Sequence, residues 1–384
     1  MIDREITPYA KSVANQYPVL TVTGPRQSGK TSLCKKLFPR KKYVSLEDLE
    51  ERDFALSDPK GFLNRFPEGA ILDEIQKAPD LVSYIQGIVD SNKKKNLFVL
   101  TGSQNFEISR SVSQSLAGRT AILKLLPFTL AEIKNYGNWT KKNILYQGFY
   151  PAIYEEKLKP HEAYGFYTET YTERDIRALI NLKNLSLFRK FIRLCAGRVG
   201  QILNLNSLAN DTGISHTTAR EWIGLLEASY IAFLLEPYHT NTSKRLIKSP
   251  KLYFYDVGLV SYFLGIYNEK QISTHPLIGS LFENMIVVEM IKKLYNNGIR
   301  RNLFFYRDSS ENEIDLVIED AEHLTLIEVK SAETFHSDFF KSFSKFEKNF
   351  PDLKTKKILI YAGENSFVRQ GTKVFNFLDE WSDI

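Results

Sequence analysis

The chain of 384 residues is long enough for two to four domains, since one domain usually holds about 100 to 200 residues. Hydrophobic residues make up 43% of it and charged residues 25%, a composition that excludes a mainly disordered or fibrous protein. The net charge of +6 is compatible with an anionic partner, and the only two cysteines, Cys34 and Cys195, leave no disulfide framework and no cysteine zinc site.

The N-terminus, MIDREITPYAKS, has acidic residues where a secretion signal would need a basic start and an apolar core. No uninterrupted apolar run reaches the ~20 residues that a membrane helix needs. We therefore expect a cytoplasmic protein that does not contact a membrane.

Short apolar runs alternate with helical patterns in the first third of the chain. Such runs are typical of strands that are buried on both faces of a parallel sheet, and the segments between them are long enough for crossover helices. The predicted strands are Val19 to Thr23, Tyr43 to Leu46, Ala70 to Asp73, Leu97 to Thr101 and Ala121 to Leu125. Residues 155–193 have a helical pattern, which predicts a helical lid or connector.

A phosphate-binding motif follows the first predicted strand and leads into a helical pattern. Its residues are Gly24, Pro25, Arg26, Gln27, Ser28, Gly29, Lys30 and Thr31. Backbone N–H groups of such a loop surround phosphate oxygens, and the helix N-terminus adds a favourable dipole. Lys30 is predicted to reach the β- and γ-phosphates of ATP, and the Thr31 hydroxyl to help hold Mg²⁺. A chance glycine-rich turn is the alternative.

Two carboxylates follow one another at the end of the third predicted strand. Asp73 is predicted to hold Mg²⁺, directly or through water, and Glu74 to polarise the attacking water. Without the phosphate-binding motif, the same pair would be a solvated strand end. After the next strand, Ser103 and Gln104 are candidates for a polar sensor of the γ-phosphate.

The chain resembles the prokaryotic AAA-type ATPases that carry a C-terminal domain of formally unknown function. The resemblance covers nearly the whole chain, and the motifs that carry it are GPRQSGKT, ILDEIQ, LTGSQ, LAGRT followed by LPFTLAE, and YTERDI. The resemblance implies ATP and Mg²⁺ as cofactors and a ring or another homo-oligomer. It also makes Arg119 a candidate sensor or arginine finger, in its own chain or in a neighbouring subunit. Without the resemblance, Arg119 would be a surface arginine before a strand.

Residues 206–227 predict two helices separated by a turn that contains Gly213, with Ser215 as the N-cap of the second helix. One face of the second helix is apolar, at Ala219, Trp222, Ile223 and Leu226. A segment without acidic residues follows, from 239 to 252, and contains Lys244, Arg245, Lys248 and Lys251. This pattern predicts a winged helix with a basic wing, whose candidate DNA contacts are Arg220, Lys244, Arg245 and Lys248. A winged helix used only for packing is the alternative.

Charged residues suited to metal-assisted phosphodiester hydrolysis lie in the last third. Glu283 is on a predicted helix, Asp315 is in NEIDLVIE, and Glu328 and Lys330 share a strand face in LTLIEVK. Glu283, Asp315 and Glu328 are the candidate metal ligands, and Lys330 would orient or deprotonate water. The pattern resembles the PD-(D/E)xK nuclease core, although no proline precedes Asp315. A solvated strand face, and a capping box of Ser280 and Glu283, are the alternatives.

The predicted fold class is an α/β multidomain protein with four parts. These are a parallel-sheet P-loop ATPase domain (1–130), a helical lid (131–200), a winged helix-turn-helix (201–262) and a restriction-endonuclease-like α/β domain (263–384). We predict an Mg²⁺-dependent ATPase that acts on or at nucleic acid, either DNA or RNA. An ATP-gated nuclease and a nucleotide-switched DNA-binding regulator are the alternatives.

Overall fold

The computed structural model describes residues 2–92, 94–103, 115–172, 185–239, 249–299 and 302–381. The N-terminal part contains a five-stranded sheet of β1 (Val19–Thr23), β2 (Lys42–Ser45), β3 (Ala70–Asp73), β4 (Phe98–Gly102) and β5 (Thr120–Lys124). The strands lie in the order β2-β3-β4-β1-β5, and all neighbours are parallel. The predicted α/β fold with a parallel sheet is confirmed.

Helices cover both faces of this sheet. They are α1 (Thr7–Ala14), α2 (Lys30–Leu37), α3 (Leu49–Ser57), α4 (Pro59–Asn64) and α5 (Leu81–Ser91). Successive strand residues point to opposite faces, so Leu20 and Val22 pack in the core that includes α1 and α2, whereas Leu72 and Leu100 pack in the core that includes α4 and α5. Because the strands are parallel, the residues that follow β1, β3 and β4 meet at one edge of the sheet.

The helices that follow β5 are α6 (Leu130–Ile133), α7 (Lys141–Gln147), α8 (Pro151–Glu155), α9 (Pro160–Tyr167) and α10 (Leu185–Ala196). They lead to a helix-turn-helix, which consists of α11 (Leu205–Thr212) and α12 (His216–Ala228). Gly213, with a φ of 89°, ends α11 in the left-handed conformation that glycine adopts without strain. The predicted N-cap is present, because Ser215 Oγ accepts from the Thr218 N–H of α12. An antiparallel pair follows, β6 (Ala232–Leu235) with β7 (Lys251–Phe254).

The C-terminal part contains a six-stranded mixed sheet. Its helices are α13 (Val257–Phe263), α14 (Glu269–Ile272), α15 (Ile278–Asn296) and α16 (Lys341–Asn349). Its strands are β8 (Asn302–Arg307), β9 (Glu313–Glu319), β10 (Leu324–Lys330), β11 (Thr355–Tyr361), β12 (Phe367–Arg369) and β13 (Thr372–Asn376), in the order β12-β13-β11-β10-β9-β8. β9 is antiparallel to β8 and β10, whereas β10 and β11 are parallel. Short 3₁₀ turns occur at Ile75–Lys77, Lys134–Tyr136 and Ser337–Phe340, and a π turn at Thr168–Thr172.

Helix α15 is buried between the N-terminal and C-terminal parts. Its Glu289 accepts from the Leu130 N–H at 2.8 Å, and its Lys292 Nζ donates to the Phe128 carbonyl and to Glu289, both at 2.6 Å. One apolar core extends from Ile2 to Phe377 and Trp381 and includes residues of α15. Although α15 has 19 residues, no helix within the described ranges combines the length and apolar character needed to cross a membrane.

Candidate nucleotide-binding and metal sites

The phosphate-binding loop joins β1 to α2. Helix α2 begins at Lys30, and Gly29 is its N-cap with a left-handed φ of 90°. At Gly24, a Cβ atom would lie 2.1 Å from the Leu125 carbonyl oxygen, so no larger residue fits without moving the backbone. The loop thus runs from the carboxyl end of a buried strand into the positive end of a helix dipole.

Lys30 and Ser28 are buried polar residues of this loop. Lys30 Nζ donates to the carbonyls of Gly24 at 3.0 Å and Pro25 at 2.7 Å. Burial lowers the pKa of Lys30 to about 8, although nearby carboxylates favour its charged form. Ser28 Oγ is buried and has no hydrogen-bond partner within the part of the chain that the structure describes. A phosphate would satisfy both the hydroxyl and the ammonium, so the loop fits such a group.

Arg26 and Gln27 form the accessible side of the loop. Arg26 is half-buried, with its Nη1 atom 3.9 Å from Glu47 Oε1. Gln27 is exposed and has a left-handed φ of 57°. Both residues belong to the phosphate-binding motif and stay candidates for contacts with a nucleotide.

Three hydroxyl groups surround Asp73 at the end of β3. Thr31 Oγ1 lies 2.9 Å and the Tyr43 hydroxyl 2.8 Å from Asp73 Oδ2, and Thr101 Oγ1 bonds to Oδ1. The two residues predicted to hold Mg²⁺, Thr31 and Asp73, are therefore in contact, and hydroxyl and carboxylate oxygens are ligands that suit this ion. Burial, reinforced by Asp73, raises the pKa of Tyr43, which keeps this phenol a hydrogen-bond donor.

Glu74 has a left-handed backbone with a φ of 57°. Its Oε2 atom accepts from Ser103 Oγ at 3.2 Å and from Gln76 Nε2. Such a conformation is strained for a residue with a Cβ, and strain of this kind is concentrated at functional sites. The structure thus brings Glu74 and Ser103 to the same sheet edge as the phosphate-binding loop, whereas Gln104 lies outside the described residues.

Arg119 does not lie at the phosphate-binding loop of its own chain. It immediately precedes β5, and the parallel register pairs Val19 with Thr120. Arg119 is therefore at the amino edge of the sheet, a strand length from the loop at the carboxyl edge. Its guanidinium bonds to exposed Asp90, with Nε at 2.5 Å and Nη2 at 2.9 Å. A role in contacting phosphate within the chain does not fit this position, and a role in a neighbouring subunit stays a prediction.

A second group of charged side chains converges in the C-terminal part. Lys330 Nζ lies 3.5 Å from Asp315 Oδ2 and bonds to Glu328. Glu283 enters the group through Lys251, whose Nζ lies 2.9 Å from Glu283 Oε1 and 2.5 Å from Glu313 Oε1. We call this group the carboxylate cluster; its members are Lys251, Glu283, Glu313, Asp315, Glu328 and Lys330.

Three members of the carboxylate cluster lie close enough together to hold one cation. Carboxylate oxygens of Glu283, Glu313 and Asp315 lie within 4.8 Å of one another. Glu328, a predicted ligand, is outside this triplet and bonds instead to Lys330 and to Ser342 Oγ, the latter at 2.7 Å. Sequence reasoning missed Glu313, although it lies two residues before Asp315 and so shares its face of β9.

The protonation of the carboxylate cluster reflects its burial. Burial raises the pKa of Glu283 to about 7 and that of Glu328 to about 8, and the Asp315 carboxylate adds to both shifts. Burial disfavours the charged forms of Lys251 and Lys330, but the surrounding carboxylates outweigh it and raise the pKa of both lysines. Fully ionised, the four carboxylates outnumber their cationic partners by one, because the Arg307 guanidinium, with its Nη1 3.5 Å from Glu313 Oε2, adds to the two ammonium groups. This excess of negative charge favours a cation in the cluster.

One prediction about this region, and one of the alternatives, are wrong. Lys251, assigned to the exposed basic wing, is only 1% exposed, because its ammonium is buried between carboxylates of α15 and β9. The capping box of Ser280 and Glu283 is also absent. Helix α15 begins at Ile278, two residues before Ser280, and Glu283 bonds to Lys251 and to the Tyr253 hydroxyl instead.

The helix-turn-helix exposes one predicted DNA contact. Arg220 is exposed on α12, opposite the buried face formed by Ala219, Trp222, Ile223 and Leu226. The other predicted contacts, Lys244, Arg245 and Lys248, lie outside the described residues.

Comparison with known protein families divides the chain into three matched segments. Residues 16–134 match the AAA domain family, residues 138–270 match a domain of unknown function (DUF8612), and residues 278–379 match a second domain of unknown function (DUF4143). The AAA match contains the phosphate-binding loop, Asp73, Glu74 and Ser103. The C-terminal match contains the Glu283, Glu313 and Asp315 triplet.

Two proteins that are similar along most of this chain are named as uncharacterized. An uncharacterized protein of Mycobacterium tuberculosis is 26% identical over 383 residues, covering 97% of this chain and 82% of its own length. An uncharacterized protein of Methanocaldococcus jannaschii is 24% identical over 405 residues, covering 95% of this chain and 86% of its own length. Among solved structures, the Walker-type ATPase of Pyrococcus abyssi is similar at a TM-score of 0.43 and 15% identity, covering 68% of this chain and 96% of its own. The AAA match supports assignment of the N-terminal part to the P-loop ATPases, with ATP binding and hydrolysis as its activity.

Proposed function

We propose that the protein is an Mg²⁺-dependent ATPase. Its hydrolysis of ATP would move the helix-turn-helix and the C-terminal part. The hydrogen bond between Thr31 and Asp73 carries the proposal most directly, because it joins the phosphate-binding loop to the acidic strand at 2.9 Å. The Ser28 hydroxyl, which has no partner among the described residues, and the buried Lys30 ammonium supply further groups for a phosphate.

Each residue of this site has a distinct part in the proposed reaction. Lys30 would exchange the Gly24 and Pro25 carbonyls for phosphate oxygens and stabilise the charge that develops on them. Thr31 and Asp73 would hold Mg²⁺, which supplies electrostatic stabilisation of the phosphates when bound. Glu74 would orient water as a general base, and Ser103, bonded to Glu74, would keep that carboxylate aligned.

Phosphate release from ATP by wild type and by Lys30→Ala tests the proposal. Loss of one preorganised charged donor should lower kcat by roughly 10²-fold or more. Lys36→Ala is the matched control, because Lys36 lies on the same helix but pairs with Asp3 at the surface. Equal rates for wild type and Lys30→Ala would refute the ATPase proposal.

A second candidate function is metal-dependent cleavage of nucleic acid at the carboxylate cluster. The triplet of Glu283, Glu313 and Asp315 favours it, since carboxylates within 4.8 Å of one another can coordinate one Mg²⁺ or Mn²⁺. Lys330 would orient the attacking water and stabilise developing negative charge through its ammonium, which Glu328 positions.

Incubation of DNA and RNA with Mg²⁺ or Mn²⁺ tests this second candidate. Wild type should cut at least one substrate, and Asp315→Asn should not, whereas Asp338→Asn, an exposed acidic residue paired with Lys341, should behave like wild type. If neither DNA nor RNA is cut in the presence of Mg²⁺ or Mn²⁺, the nuclease candidate fails and the cluster has a structural role only.

DNA or RNA binding through the helix-turn-helix is the third part of the proposal. Exposed Arg220 on α12, together with Lys244, Arg245 and Lys248, would contact phosphates. Charge reversal at Lys244, Arg245 and Lys248 should weaken binding and flatten its dependence on salt. Unchanged affinity and an unchanged salt slope would argue against nucleic acid as the partner.

A further inference from the structure

Arg4 contacts the phosphate-binding loop although it lies outside the motif and before the segment that matches the AAA domain family. Its Nη1 donates to the Ser28 carbonyl at 2.7 Å, and its Nη2 to the Leu126 carbonyl at 2.6 Å. Ser28 belongs to the loop, and Leu126 follows β5. The Arg4 guanidinium therefore links the phosphate-binding loop, which follows β1, to the segment that follows the neighbouring strand β5.

The Arg4 side chain is itself fixed. Its Nε lies 3.0 and 3.1 Å from the two carboxylate oxygens of Glu132, and its guanidinium carbon lies 4.9 Å from the centre of the Phe128 ring. Glu132 also accepts from the Glu5 N–H at 2.7 Å and the Thr129 N–H at 3.0 Å. Both members of this ion pair are buried, with side chains 6% and 1% exposed. Because Arg4 and Glu132 are buried and hydrogen-bonded to each other and to the backbone, their side chains are held in one geometry.

We propose that Arg4 is a positioning residue that fixes the shape of the phosphate-binding loop and so raises its affinity for ATP. The Ser28–Gly29 peptide is planar and trans, so a carbonyl held by Arg4 directs the Gly29 N–H to the opposite side. This N–H is then oriented in advance for a phosphate oxygen, which lowers the population of loop conformations that cannot bind. The inference rests on the proposed ATPase function for its substrate.

A lysine cannot replace Arg4 in this role. The guanidinium presents separate N–H groups to Ser28, Leu126 and Glu132, which lie in different directions. A lysine would keep the charge but replaces the rigid fork by a single point donor. Arg4→Lys should therefore keep the fold and part of the ion pair with Glu132 while it loosens the loop.

The experiment compares ATP turnover and ATP binding by wild type, Arg4→Lys and Arg4→Ala. We expect KM and Kd for ATP to rise about tenfold or more, corresponding to a binding-competent fraction of about one tenth or less, while kcat at saturating ATP changes little. Added guanidinium ion at non-denaturing concentration should lower the KM of Arg4→Ala again. If Arg4→Ala does not fold, the Arg4→Lys values decide the question.

Arg65→Ala is the matched control for a general loss of stability. Arg65 packs over the rings of Phe54, Phe62 and Phe66 in the same part of the chain but does not contact the loop. It should lower the melting temperature without changing KM. A KM for Arg4→Lys equal to that of wild type, or an equal rise in Arg65→Ala, would overturn the inference.

Hydrogen exchange separates failure of this inference from failure of the ATPase proposal. Without nucleotide, the amides of Gly24 and of residues 26–31 should exchange faster in Arg4→Lys than in wild type or Arg65→Ala. If wild type binds no ATP, the proposed function fails, and faster exchange still supports Arg4 as the residue that fixes the loop. Unchanged exchange at these amides contradicts the positioning role, whatever the protein binds.

Discussion

Burial controls the reactivity of individual side chains around the nucleotide site. Lys30 and Cys34 both lie on α2 and are buried. Burial lowers the pKa of the lysine to about 8 and raises that of the thiol to about 12, with Asp73 adding to the thiol shift. Desolvation disfavours the charged form in each case, so it brings the ammonium closer to neutrality and keeps the thiol protonated.

We predict that neither cysteine reacts in the native protein. Burial raises the pKa of Cys195 as well, and the thiolate is the reactive species. At pH 8, only about 10⁻⁴ of Cys34 would be ionised, given a pKa near 12. A chromogenic disulfide reagent should find no fast-reacting thiol in folded protein and two after denaturation. One rapidly modified thiol in the folded protein would contradict the burial of Cys34 on α2 or of Cys195 on α10.

At the scale of elements, the end of α12 touches the strand that leads to the phosphate-binding loop. Tyr230 follows α12 with a left-handed φ of 56°, and the Ile231 N–H bonds back to the Leu226 carbonyl, as in a Schellman ending. Glycine usually occupies this position, because a side chain there costs about 1 kcal/mol. Tyr230 is buried, and its hydroxyl bonds to Thr23 Oγ1 at 3.1 Å. This contact helps to explain a tyrosine where glycine is usual.

Tyr230→Phe should lower the free energy of unfolding by about 1 kcal/mol, since it removes one buried hydrogen bond and leaves the Thr23 hydroxyl with one partner fewer. Denaturant unfolding measures the change. Tyr267→Phe is the control, because this ring is 63% exposed and its substitution should change stability by less than about 0.5 kcal/mol. Equal stabilities of Tyr230→Phe and wild type would mean that the two hydroxyls contribute no net stabilisation.

The positions of the strands along the chain were easier to predict from the sequence than the contacts between residues that are distant in the sequence. Apolar runs located all five strands of the parallel sheet, and motif spacing located Lys30, Asp73 and Glu74. The contact of Thr101 with Asp73 was not predictable, because it depends on the order of strands rather than on their spacing along the chain. For the same reason, Lys251 was taken for a wing residue: its burial is set by carboxylates more than 30 residues away.

At the scale of the whole molecule, the carboxylate cluster joins four elements. Lys251 comes from β7, Glu283 from α15, Glu313 and Asp315 from β9, and Glu328 and Lys330 from β10. The same helix α15 bonds, through Glu289 and Lys292, to the segment that follows the parallel sheet. Contacts between the N-terminal part and the cluster are therefore continuous through one helix, α15.

Lys251→Met should destabilise the protein by about 3 kcal/mol, because removing one partner leaves buried carboxylates without their counter-charge. Lys357→Met is the control: its salt bridge to Glu347 is partly exposed, so the loss should be about 1 kcal/mol or less. Thermal unfolding with and without Mn²⁺ measures both effects. If the cluster binds metal, Mn²⁺ should stabilise Lys251→Met more than wild type, whereas a stability loss no larger than that of the control would contradict the role of Lys251 as the internal counter-charge.

The Mg²⁺ dependence of ATP hydrolysis by wild type, Asp73→Asn and Asp53→Asn tests the central claim most directly. Asp73 contacts Thr31 at 2.9 Å, whereas Asp53 is an exposed residue of α3. Wild type and Asp53→Asn should release phosphate only when Mg²⁺ is present. Asp73→Asn should lose roughly 10²-fold in kcat and need more Mg²⁺ for its residual activity. Hydrolysis that is independent of Mg²⁺, or unchanged in Asp73→Asn, would contradict the assignment of this site as an Mg²⁺-dependent ATPase centre.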